Sequence, residues 1–509
     1  MEFDKELPAV PRRLHETFMP WVSSSDADIA LADAERRLTY RELPAVIEAV
    51  AEKLRELGVR AGDRVLLVAE NSVALVVCIL AISRLDAWSA TVNARLSVRE
   101  IDTFLAHSGA RIALYFGASS ADALAHAVAR GAHTVAFAGI GDILVGPRND
   151  DALTEPVSDD PARQVAAMVY TSGTTGAPKA VMLSHANLLF IGANARRMRG
   201  VLPSDVIYGV LPLSHVYGLT ALMIASLMSG SELRLEARFN PRALATALAQ
   251  ESITILHGAP AMYAKLLELA GEGGLPAPHL RVAQSGGAPL TLALKQNFER
   301  VFGIALQNGY GMTEASPSIC QTRIDAPRDD CSVGHAIPGI QIRLNDQDAA
   351  GVGELWVRGP NVMFGYYRAP DLTAETVTDE GWLRTGDLAR IEEGGALFIV
   401  GRSKELIIRS GFNVYPIEVE QVLNSWPDIV QSAVVGREID GNEEVVAFVE
   451  PSSGALLDLD ALVIYLKQNL SPYKVPSEIV VLEHLPAAAT GKILKKELQR
   501  MAIASSGKK

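Results

Sequence analysis

The chain has 509 residues, of which 49% are apolar and 21% charged, and its 47 Lys and Arg against 59 Asp and Glu give a formal net charge of −12. The apolar fraction excludes a wholly disordered chain, and the acidic balance argues against a general nucleic-acid binder, which needs clustered positive charge. At roughly 150 residues per domain, the length favours about three folding units. The cysteines Cys78, Cys320 and Cys331 are too few and too scattered for a disulfide framework, so we expect buried thiols.

The N-terminal residues lack the basic start and the continuous apolar run of a signal peptide. The most apolar early run, from Val65 to Ile82, is interrupted by Glu70 and Asn71. A membrane-crossing helix needs about 20 predominantly apolar residues, and no run reaches that length without charges. We therefore expect a cytoplasmic protein without a membrane span.

Between residues 40 and 400, helix-like stretches such as Tyr40 to Leu57 alternate with short aliphatic runs such as RVLLVA from Arg64. This alternation predicts an α/β protein with a largely parallel sheet. The segment GIGDILVG, Gly139 to Gly146, lacks the third glycine of a dinucleotide-binding fingerprint, and we predict a loop there. From Gly351 to Val400, the closely spaced runs GELWVRG and ALFIVG predict a small β-rich subdomain.

After Arg402 the pattern changes to that of an α+β domain. The runs ELIIR, IVQSAVVG and EVVAFVEP predict strands, whereas PIEVEQVLNSW and the segment from Leu459 predict helices. The junction carries GRSKE and no long flexible linker, so the sequence predicts a separate C-terminal domain joined by a short hinge.

The most informative stretch is MVYTSGTTGAPKAVMLSHANL, Met168 to Leu188, which predicts a strand, a loop and a helix opened by Ser184 and His185. The loop offers backbone N–H groups, hydroxyls and one ammonium, which are the groups needed to bind a polyphosphate. A Walker A loop has a different glycine spacing and a Ser or Thr after its lysine, where this chain has Ala180. The predicted phosphate-binding residues are Thr171, Ser172, Gly173, Thr174, Thr175, Gly176 and Lys179.

This segment occurs with four others in a recognisable order: QNGYGMTE from Gln307, GWLRTGDLA from Gly381, GRSKELIIRSGFNVYPIEVE from Gly401 and TGKILKKEL from Thr490. Together they closely resemble the adenylate-forming acyl-CoA synthetases, a superfamily that also contains nonribosomal adenylation domains and beetle luciferases. The resemblance covers nearly the whole chain from about Thr39.

The resemblance implies a two-step reaction. A carboxylate and MgATP give an acyl-adenylate and pyrophosphate, and the CoA thiol then attacks the adenylate to give acyl-CoA and AMP. It also implies a fold: a large N-terminal domain of α/β subdomains with a small β-rich subdomain, and a smaller mobile α+β C-terminal domain that carries a catalytic lysine. We expect residues 1–401 to form the domain with the ATP and acyl sites, 402–404 the hinge, and 405–509 the C-terminal domain.

The family's catalytic groups map onto three residues here. Lys492 resembles the mobile lysine that bridges the reacting carboxylate and the α-phosphate, and Glu314 matches the carboxylate that binds Mg²⁺, a cation that prefers oxygen ligands. Thr313 is expected to donate a hydrogen bond to the α-phosphate, and Thr171 to contribute to the metal site.

The resemblance also implies the nucleotide contacts. Tyr310 should stack on adenine and Asp387 should accept hydrogen bonds from both ribose hydroxyls, which suits an acceptor-only group. Arg402 is also directed at the ribose. The remaining residues expected around ATP are Gly286, Gly287, Ala288, Asn308, Gly309 and Gly311.

Lys404 occupies the family's hinge position, and the loop around Gly411 is expected to line the CoA tunnel. Since Lys492 serves adenylation and the Gly411 loop serves thioester formation, domain alternation is part of the implied mechanism. Two departures from the family pattern stand out: Ala180 replaces a glycine, and Ala487 and Ala488 replace polar residues before Lys492.

By the same resemblance, the acid lies in a pocket with no Arg or Lys among its expected residues. An acid with a second carboxylate would want a cation there, so malonate-type acids are disfavoured. The expected substrate is an apolar monocarboxylic acid, either fatty or aromatic. The residues expected to line the pocket are His215, Val216, Tyr217, Met262, Met312 and Ser316.

Three alternatives remain open. The enzyme could load a phosphopantetheine on a separate carrier protein, act as a luciferase-like oxygenase, or bind adenylates without catalysis. The expected partners are a small carboxylic acid, ATP and CoA, with no nucleic acid. The sequence leaves open whether the protein is a monomer or a homodimer.

Overall fold

The computed structural model describes residues 11–23, 28–171, 179–271, 274–409, 412–439, 442–452, 454–487 and 493–505. Its α-helices are α1 (Leu43–Glu56), α2 (Val73–Arg84), α3 (Val98–Ser108), α4 (Ala121–Ala129), α5 (His185–Arg199), α6 (Ala225–Ser229), α7 (Pro241–Gln250), α8 (Pro260–Ala270), α9 (Leu292–Phe302), α10 (Pro370–Thr376), α11 (Pro416–Leu423), α12 (Leu459–Asn469) and α13 (Lys495–Ser505). A π-helical segment, Gly218–Ile224, precedes α6.

The strands of the N-terminal part are β1 (Ile29–Ala32), β2 (Arg37–Thr39), β3 (Arg64–Ala69), β4 (Trp88–Asn93), β5 (Ile112–Tyr115), β6 (His133–Phe137), β7 (Gly141–Val145), β8 (Val165–Thr171), β9 (Lys179–Ser184), β10 (Val206–Gly209), β11 (Glu232–Leu235), β12 (Ile255–Gly258), β13 (Val282–Ser285), β14 (Leu306–Gly311), β15 (Ser318–Gln321) and β16 (His335–Ala336). The later strands are β17 (Gln341–Asn345), β18 (Gly353–Arg358), β19 (Gly365–Tyr366), β20 (Leu383–Ile391), β21 (Leu397–Arg402), β22 (Ile407–Arg409), β23 (Phe412–Val414), β24 (Ile429–Ile439), β25 (Asn442–Pro451) and β26 (Glu478–Val481).

Two large sheets carry the N-terminal part. One has nine strands in the order β16-β15-β14-β13-β12-β10-β11-β1-β2, and the other has eight in the order β19-β9-β8-β4-β3-β5-β7-β6. Their central strands are parallel, as in the pairs β12 with β13 and β3 with β4. The predicted α/β class with largely parallel sheet is therefore confirmed. Because ligands of parallel sheets bind beyond the carboxyl ends of the strands, the ends of β8, β13 and β14 mark the region of interest.

The apolar run from Val65 to Ile82 forms β3 and α2, and both elements lie inside the core. Every residue of β3 is buried, and so is α2 from Val73 to Ser83. Ser72 begins the helix, because its hydroxyl accepts a hydrogen bond from the Leu75 amide. Among the helices of the described segments, none combines the length and the apolar character that a membrane crossing needs.

A four-stranded antiparallel sheet, β17-β18-β20-β21, forms the predicted β-rich unit. Beyond it the C-terminal part has the three-stranded sheet β24-β25-β26 and its own clusters of buried apolar side chains, including Val434, Val445 and Phe448. The predicted α+β character of this part is confirmed. The exact boundaries at 401 and 404 stay a prediction.

Two expectations from the sequence are wrong. Residues 141–145 of the Gly139 to Gly146 segment form β7, because buried Ile143 and Val145 let it pair with β6 and β5. Cys331 is half-buried, whereas Cys78 and Cys320 are buried as expected. Burial raises the pKa of the Cys331 thiol to about 11.

A buried ion pair fixes the loop that precedes β3. Asp63 is fully buried, and the Arg111 guanidinium, itself 3% exposed, contacts it with Nε 3.2 Å from Oδ2. Arg111 also donates to the backbone carbonyls of Asn149 and Ala152, so this pair connects the loop to a second segment. A buried charge that loses its partner is strongly destabilising.

We therefore expect Asp63→Ala to lower the free energy of unfolding by about 3–5 kcal/mol, because Arg111 would be left buried without its carboxylate. Denaturant-induced unfolding followed by circular dichroism measures the change. Asp150→Ala is the matched control, since its pair with Arg148 is exposed and should contribute less than ~1 kcal/mol. Equal losses in the two variants would contradict the prediction.

Candidate active site

The segment NGYGMTE forms the end of β14 and the turn after it. A Cβ atom on Gly311 would lie 2.0 Å from the Pro317 carbonyl oxygen, so only glycine fits there. This close approach lets the chain turn and return as β15, which pairs with β14 in antiparallel fashion. Thr313 and Glu314 therefore lie at the carboxyl end of β14, in a short 3₁₀ turn.

Tyr310, Asp387 and Arg402 meet at one carboxylate. The Tyr310 hydroxyl donates to Oδ2 of Asp387, and Nε of Arg402 donates to Oδ1 at 2.8 Å. Asp387 is 2% exposed, and its strand β20 places it directly opposite Arg402 on β21. Burial and the Asp387 charge together raise the pKa of Tyr310 well above its usual value, so the phenol stays a donor.

A second group surrounds Glu314. The Tyr366 hydroxyl donates to Oε1 of Glu314 at 2.7 Å, and the Lys179 ammonium lies 5.7 Å from the centre of the Tyr366 ring. This distance is within the range of a cation–π contact. Burial and then the Glu314 charge raise the pKa of Tyr366. Sequence reasoning missed Tyr366, because the only local signal is an aromatic pair in the segment FGYY.

Strand pairing explains why Lys179 and Tyr366 meet. Thr171 at the end of β8 pairs with Lys179 at the start of β9, and Tyr366 on β19 pairs with Val181 on the other edge of β9. Thr171 and Lys179 thus stand opposite each other at the base of the predicted phosphate loop. The loop residues Ser172, Gly173, Thr174, Thr175 and Gly176 lie outside the described residues, as do Gly411, Ala488 and Lys492.

The described residues contain no group of three or more His, Cys, Asp or Glu side chains that could hold a metal ion alone. Mg²⁺ that accompanies a triphosphate usually keeps several waters and takes one or two protein oxygens besides the phosphates. The Glu314 carboxylate and the Thr171 hydroxyl fit that requirement. They would hold the ion, which would supply positive charge to the phosphates.

The glycines after β13 lie against an aromatic side chain. A Cβ atom on Gly286 would lie 3.0 Å from the Tyr217 ring, so this ring packs directly on the Gly286 backbone. Gly287 has φ +81°, a conformation that favours glycine, and it is exposed, whereas Ala288 is half-buried. The structure therefore brings Tyr217 to the turn predicted to face the nucleotide and the acid.

The other residues predicted for the acyl pocket lie at different depths. His215 and Met312 are half-buried, whereas Val216 and Met262 belong to the main apolar core. Ser316 is fully buried, and its hydroxyl donates to the Asn361 carbonyl at 2.8 Å.

Asn308 is engaged within the protein. Its side-chain amide donates to the carbonyls of Cys331 and Ser332 at 3.2 and 3.1 Å, and its Oδ1 accepts from the Gly309 amide. Gly309 is close to another side chain, because a Cβ atom there would lie 2.9 Å from Nε2 of Gln284. Asn308 thus fixes the backbone from which Tyr310 projects.

The predicted hinge residue Lys404 is exposed and lies in a 3₁₀ turn, Ser403–Glu405. The adjacent Glu405 forms an ion pair with Lys495 at 3.1 Å, and Lys495 also contacts Glu420 at 2.8 Å. Near the predicted catalytic lysine, Ala487 forms an isolated β-bridge with Ile493. Lys495 therefore joins the helix that follows Lys492 to the segment that contains the hinge.

Comparison with known proteins agrees with this geometry. Residues 20–367 match the model of the AMP-binding enzyme family, and residues 418–492 match its C-terminal domain. A feruloyl-CoA synthase of Amycolatopsis sp is 34% identical over 476 residues, which cover 91% of this chain and 94% of that protein. A 2-succinylbenzoate–CoA ligase of Bacillus cereus (strain AH820) is 30% identical, with 93% of this chain and 95% of that protein covered.

The architecture is shared as well. The crystal structure of ATP-bound MatB from Rhodopseudomonas palustris superposes with a TM-score of 0.83 at 30% identity, covering 96% of this chain and 98% of that chain. These matches show that the chain belongs to the AMP-binding enzyme family, within the superfamily of adenylate-forming acyl-CoA synthetases. The protein is therefore an AMP-forming CoA ligase, with ATP and CoA as its substrates.

Proposed function

We propose that this enzyme activates an apolar monocarboxylic acid, fatty or aromatic, and transfers the acyl group to CoA. The observation that supports this proposal most directly is that the Tyr217 ring packs on Gly286, a residue predicted to contact ATP, so an apolar side chain lies beside the predicted nucleotide site. The family assignment supplies acyl-CoA formation through an adenylate. The apolar character of Val216, Tyr217, Met262 and Met312 supports the proposed acid. We retain the cytoplasm as the expected location.

In the first step, a carboxylate oxygen of the acid bonds to the α-phosphorus of ATP, and the bond from that phosphorus to the pyrophosphate oxygen breaks. Negative charge builds up on the phosphoryl oxygens, so catalysis depends on positioning and on positive charge. We assign Lys179 to the phosphates and Lys492 to the oxygens shared by the acid and the α-phosphate. Thr313 donates a hydrogen bond to the α-phosphate.

The ribose is positioned by Asp387. Its carboxylate accepts hydrogen bonds from the Tyr310 hydroxyl and from Nε of Arg402. We assign this carboxylate, an acceptor-only group, to the ribose hydroxyls, while the half-buried Tyr310 ring stacks on adenine. Because the carboxylate is held from two sides, it does not have to reorient when ATP binds.

In the second step, the CoA sulfur bonds to the acyl carbon and AMP leaves with its oxygen, while the thiol proton is lost to solvent or to a base. We propose that residues 405–509 rotate about the hinge 402–404, so that the Gly411 loop replaces Lys492 at the site. Lys404 is exposed, which suits a residue that changes its backbone torsions.

The name of the feruloyl-CoA synthase supports an aromatic monocarboxylic acid within the proposed range. A screen of fatty and aromatic acids with ATP and Mg²⁺, monitored by pyrophosphate release, tests the proposal. We expect acid-dependent release, and formation of AMP and a CoA thioester when CoA is added. Robust turnover of malonate or of amino acids, or release that never leads to a thioester, would contradict it.

Glu314→Gln should slow adenylation by at least ~100-fold, because it removes the negative oxygen ligand while keeping the size of the side chain. The dissociation constant of ATP should change much less, and excess Mg²⁺ should restore part of the rate. Single-turnover pyrophosphate release and equilibrium ATP binding measure the two effects.

Tyr366→Phe is the matched control for this variant. It removes the hydroxyl that touches Glu314 but leaves the carboxylate in place, so it should slow adenylation far less. A Glu314→Gln enzyme that adenylates as fast as Tyr366→Phe would show that Glu314 does not serve the metal.

Lys404→Pro should separate the two half-reactions, because proline fixes φ and a hinge must change its torsions. We expect single-turnover pyrophosphate release near the wild-type rate and slow CoA thioester formation, with acyl-adenylate retained on the enzyme. Quench-flow measurement of both products follows the two steps. Lys404→Ala removes the charge without fixing φ and should leave both steps intact, whereas parallel slowing of both steps in Lys404→Pro would rule out the hinge.

A further inference from the structure

Arginine and tryptophan side chains alternate across one face of the four-stranded sheet β17-β18-β20-β21. Arg343 on β17, Trp356 on β18 and Arg384 on β20 are paired in register. Residues directly paired on adjacent strands project to the same face of a sheet, so these three side chains form a row. Arg358, two residues after Trp356, projects to the same face, and Trp382 lies just before β20. We call these five side chains the arginine–tryptophan ladder.

Each arginine of the ladder contacts the face of an indole. The guanidinium carbons of Arg358 and Arg343 lie 4.7 and 4.3 Å from the centre of the Trp382 ring. Those of Arg343 and Arg384 lie 4.7 and 5.1 Å from the centre of the Trp356 ring. All four distances are within the range of a cation–π contact. Because neighbouring arginines share one ring, their guanidinium carbons are no more than about 9 to 10 Å apart.

The ladder is accessible to a partner. Its three arginines are exposed, whereas Trp356 is half-buried and Trp382 is 7% exposed. The rings therefore form a fixed base on which the guanidinium groups lie. A guanidinium held against a ring has fewer conformations to lose when it binds a ligand, which lowers the entropic cost of binding. Tryptophan and arginine are also the residue types that are enriched in protein interfaces.

The charges of the ladder have no partner of opposite sign within the described part of the chain, where no Asp or Glu side chain lies within 4.0 Å of the three guanidinium groups. Their hydrogen bonds go to neutral oxygens. Arg358 donates to Oε1 of Gln341 at 2.6 Å, and Arg384 donates to the backbone carbonyl of Glu375 at 3.3 Å. Carboxylates are plentiful in this chain, which has 59 Asp and Glu against 47 Lys and Arg. The fold nevertheless brings none of the described ones to the ladder.

Another arginine on this sheet shows the same contact with an internal counter-ion. The guanidinium carbon of Arg390, on β20, lies 4.4 Å from the centre of the Phe398 ring. Nη1 of Arg390 also donates to Oε1 of Glu392 at 2.8 Å. A cation–π contact on this sheet therefore does not prevent an ion pair. The ladder arginines differ from Arg390 because their charge is left for a group outside the described residues.

We propose that the arginine–tryptophan ladder is a docking surface for an acidic α-helix of a partner protein, whose carboxylates bind Arg358, Arg343 and Arg384 in turn. A guanidinium presents parallel N–H groups that match the two oxygens of a carboxylate. The rings beneath the guanidinium groups bind the apolar stems of the acidic side chains. None of the five ladder residues is among those predicted to bind ATP, the acid or CoA, so the surface is additional to the proposed function.

The spacing and the net charge favour a helix over a nucleic acid. Residues seven positions apart on an α-helix lie on the same side, about 10.5 Å apart along the axis, which is close to the spacing of the guanidinium groups. Duplex DNA carries one negative charge per about 1.7 Å of its axis, so most of its charge would face a chain with a net charge of −12. A helix with carboxylates every second turn presents its charge only where the arginines lie.

The test uses two synthetic alanine-rich helical peptides of the same composition, each with three glutamates. One peptide has its glutamates seven residues apart, and the other has them five residues apart, which places them on different sides of the helix. Fluorescence anisotropy of the labelled peptides with the full chain measures Kd. We expect the first peptide to bind at least ~10-fold more tightly, because it alone can engage all three arginines. Its affinity should fall as salt is added, since exposed charges are screened.

Variants then locate the binding surface. Arg343→Gln should weaken binding of the first peptide by ~10-fold or more, because it removes the central charge of the ladder. Arg390→Gln is the matched control on the same sheet and should leave Kd unchanged, since Glu392 already pairs with Arg390. Circular dichroism shows whether each variant is folded. If Arg343→Gln fails to fold, Arg358→Gln at the end of the ladder decides, and it should also weaken binding.

Several results would overturn the proposal. These are equal binding of the two peptides, binding of neither peptide, or an equal loss of affinity in Arg343→Gln and Arg390→Gln. A single-stranded oligonucleotide provides a further comparison. If it displaces the first peptide and binds more tightly than that peptide, the ladder is a surface for polyanions in general and the proposed helical partner is wrong.

Discussion

The carboxylate of Asp387 holds together parts of the molecule that the chain keeps far apart. Tyr310 reaches it from the nine-stranded sheet, while Asp387 itself and Arg402 belong to the small antiparallel sheet. Two donors on one buried carboxylate fix its position better than one, because each removes a rotational freedom of the side chain. The predicted hinge begins at Arg402, so the predicted nucleotide site and the predicted hinge share one ion pair.

Steric constraints place the remaining groups around this point. The turn at Gly311 is so tight that no other residue fits, and it sets where Thr313 and Glu314 lie. The hairpin of β8 and β9 sets where Thr171 and Lys179 lie, and the short strand β19 brings Tyr366 to Glu314. Backbone geometry thus assembles the predicted phosphate-binding region from segments that are about 50 to 200 positions apart in the sequence. Electrostatic catalysis of phosphoryl transfer depends on such preorganisation. Side chains that are already in place stabilise the charge of the transition state without the free-energy cost of reorienting during the reaction.

A row of polar side chains in the nine-stranded sheet follows a different physical rule. A parallel sheet in an α/β protein is normally covered by apolar side chains on both faces. Here His257, Gln284 and Gln307 interrupt that pattern next to a buried arginine. Their cost in desolvation marks them as a feature that packing alone does not require.

The sequence by itself determined the fold class and the family, and it predicted the residues of a nucleotide site. These depend on local patterns: the apolar run of β3 and α2, and short motifs such as GYGMTE whose residues act from one turn. It did not predict β7, because a strand at Gly141–Val145 forms only when β5 and β6 pair with it. It also missed Tyr366, and it did not predict that Arg199 is buried. An arginine in the last turn of a helix ordinarily complements the helix dipole, and only the packing of α5 against β15 and the following residue shows that Arg199 is buried without a carboxylate. Tertiary structure decided these points because burial and partner choice arise between residues distant in sequence, where local pattern carries no information.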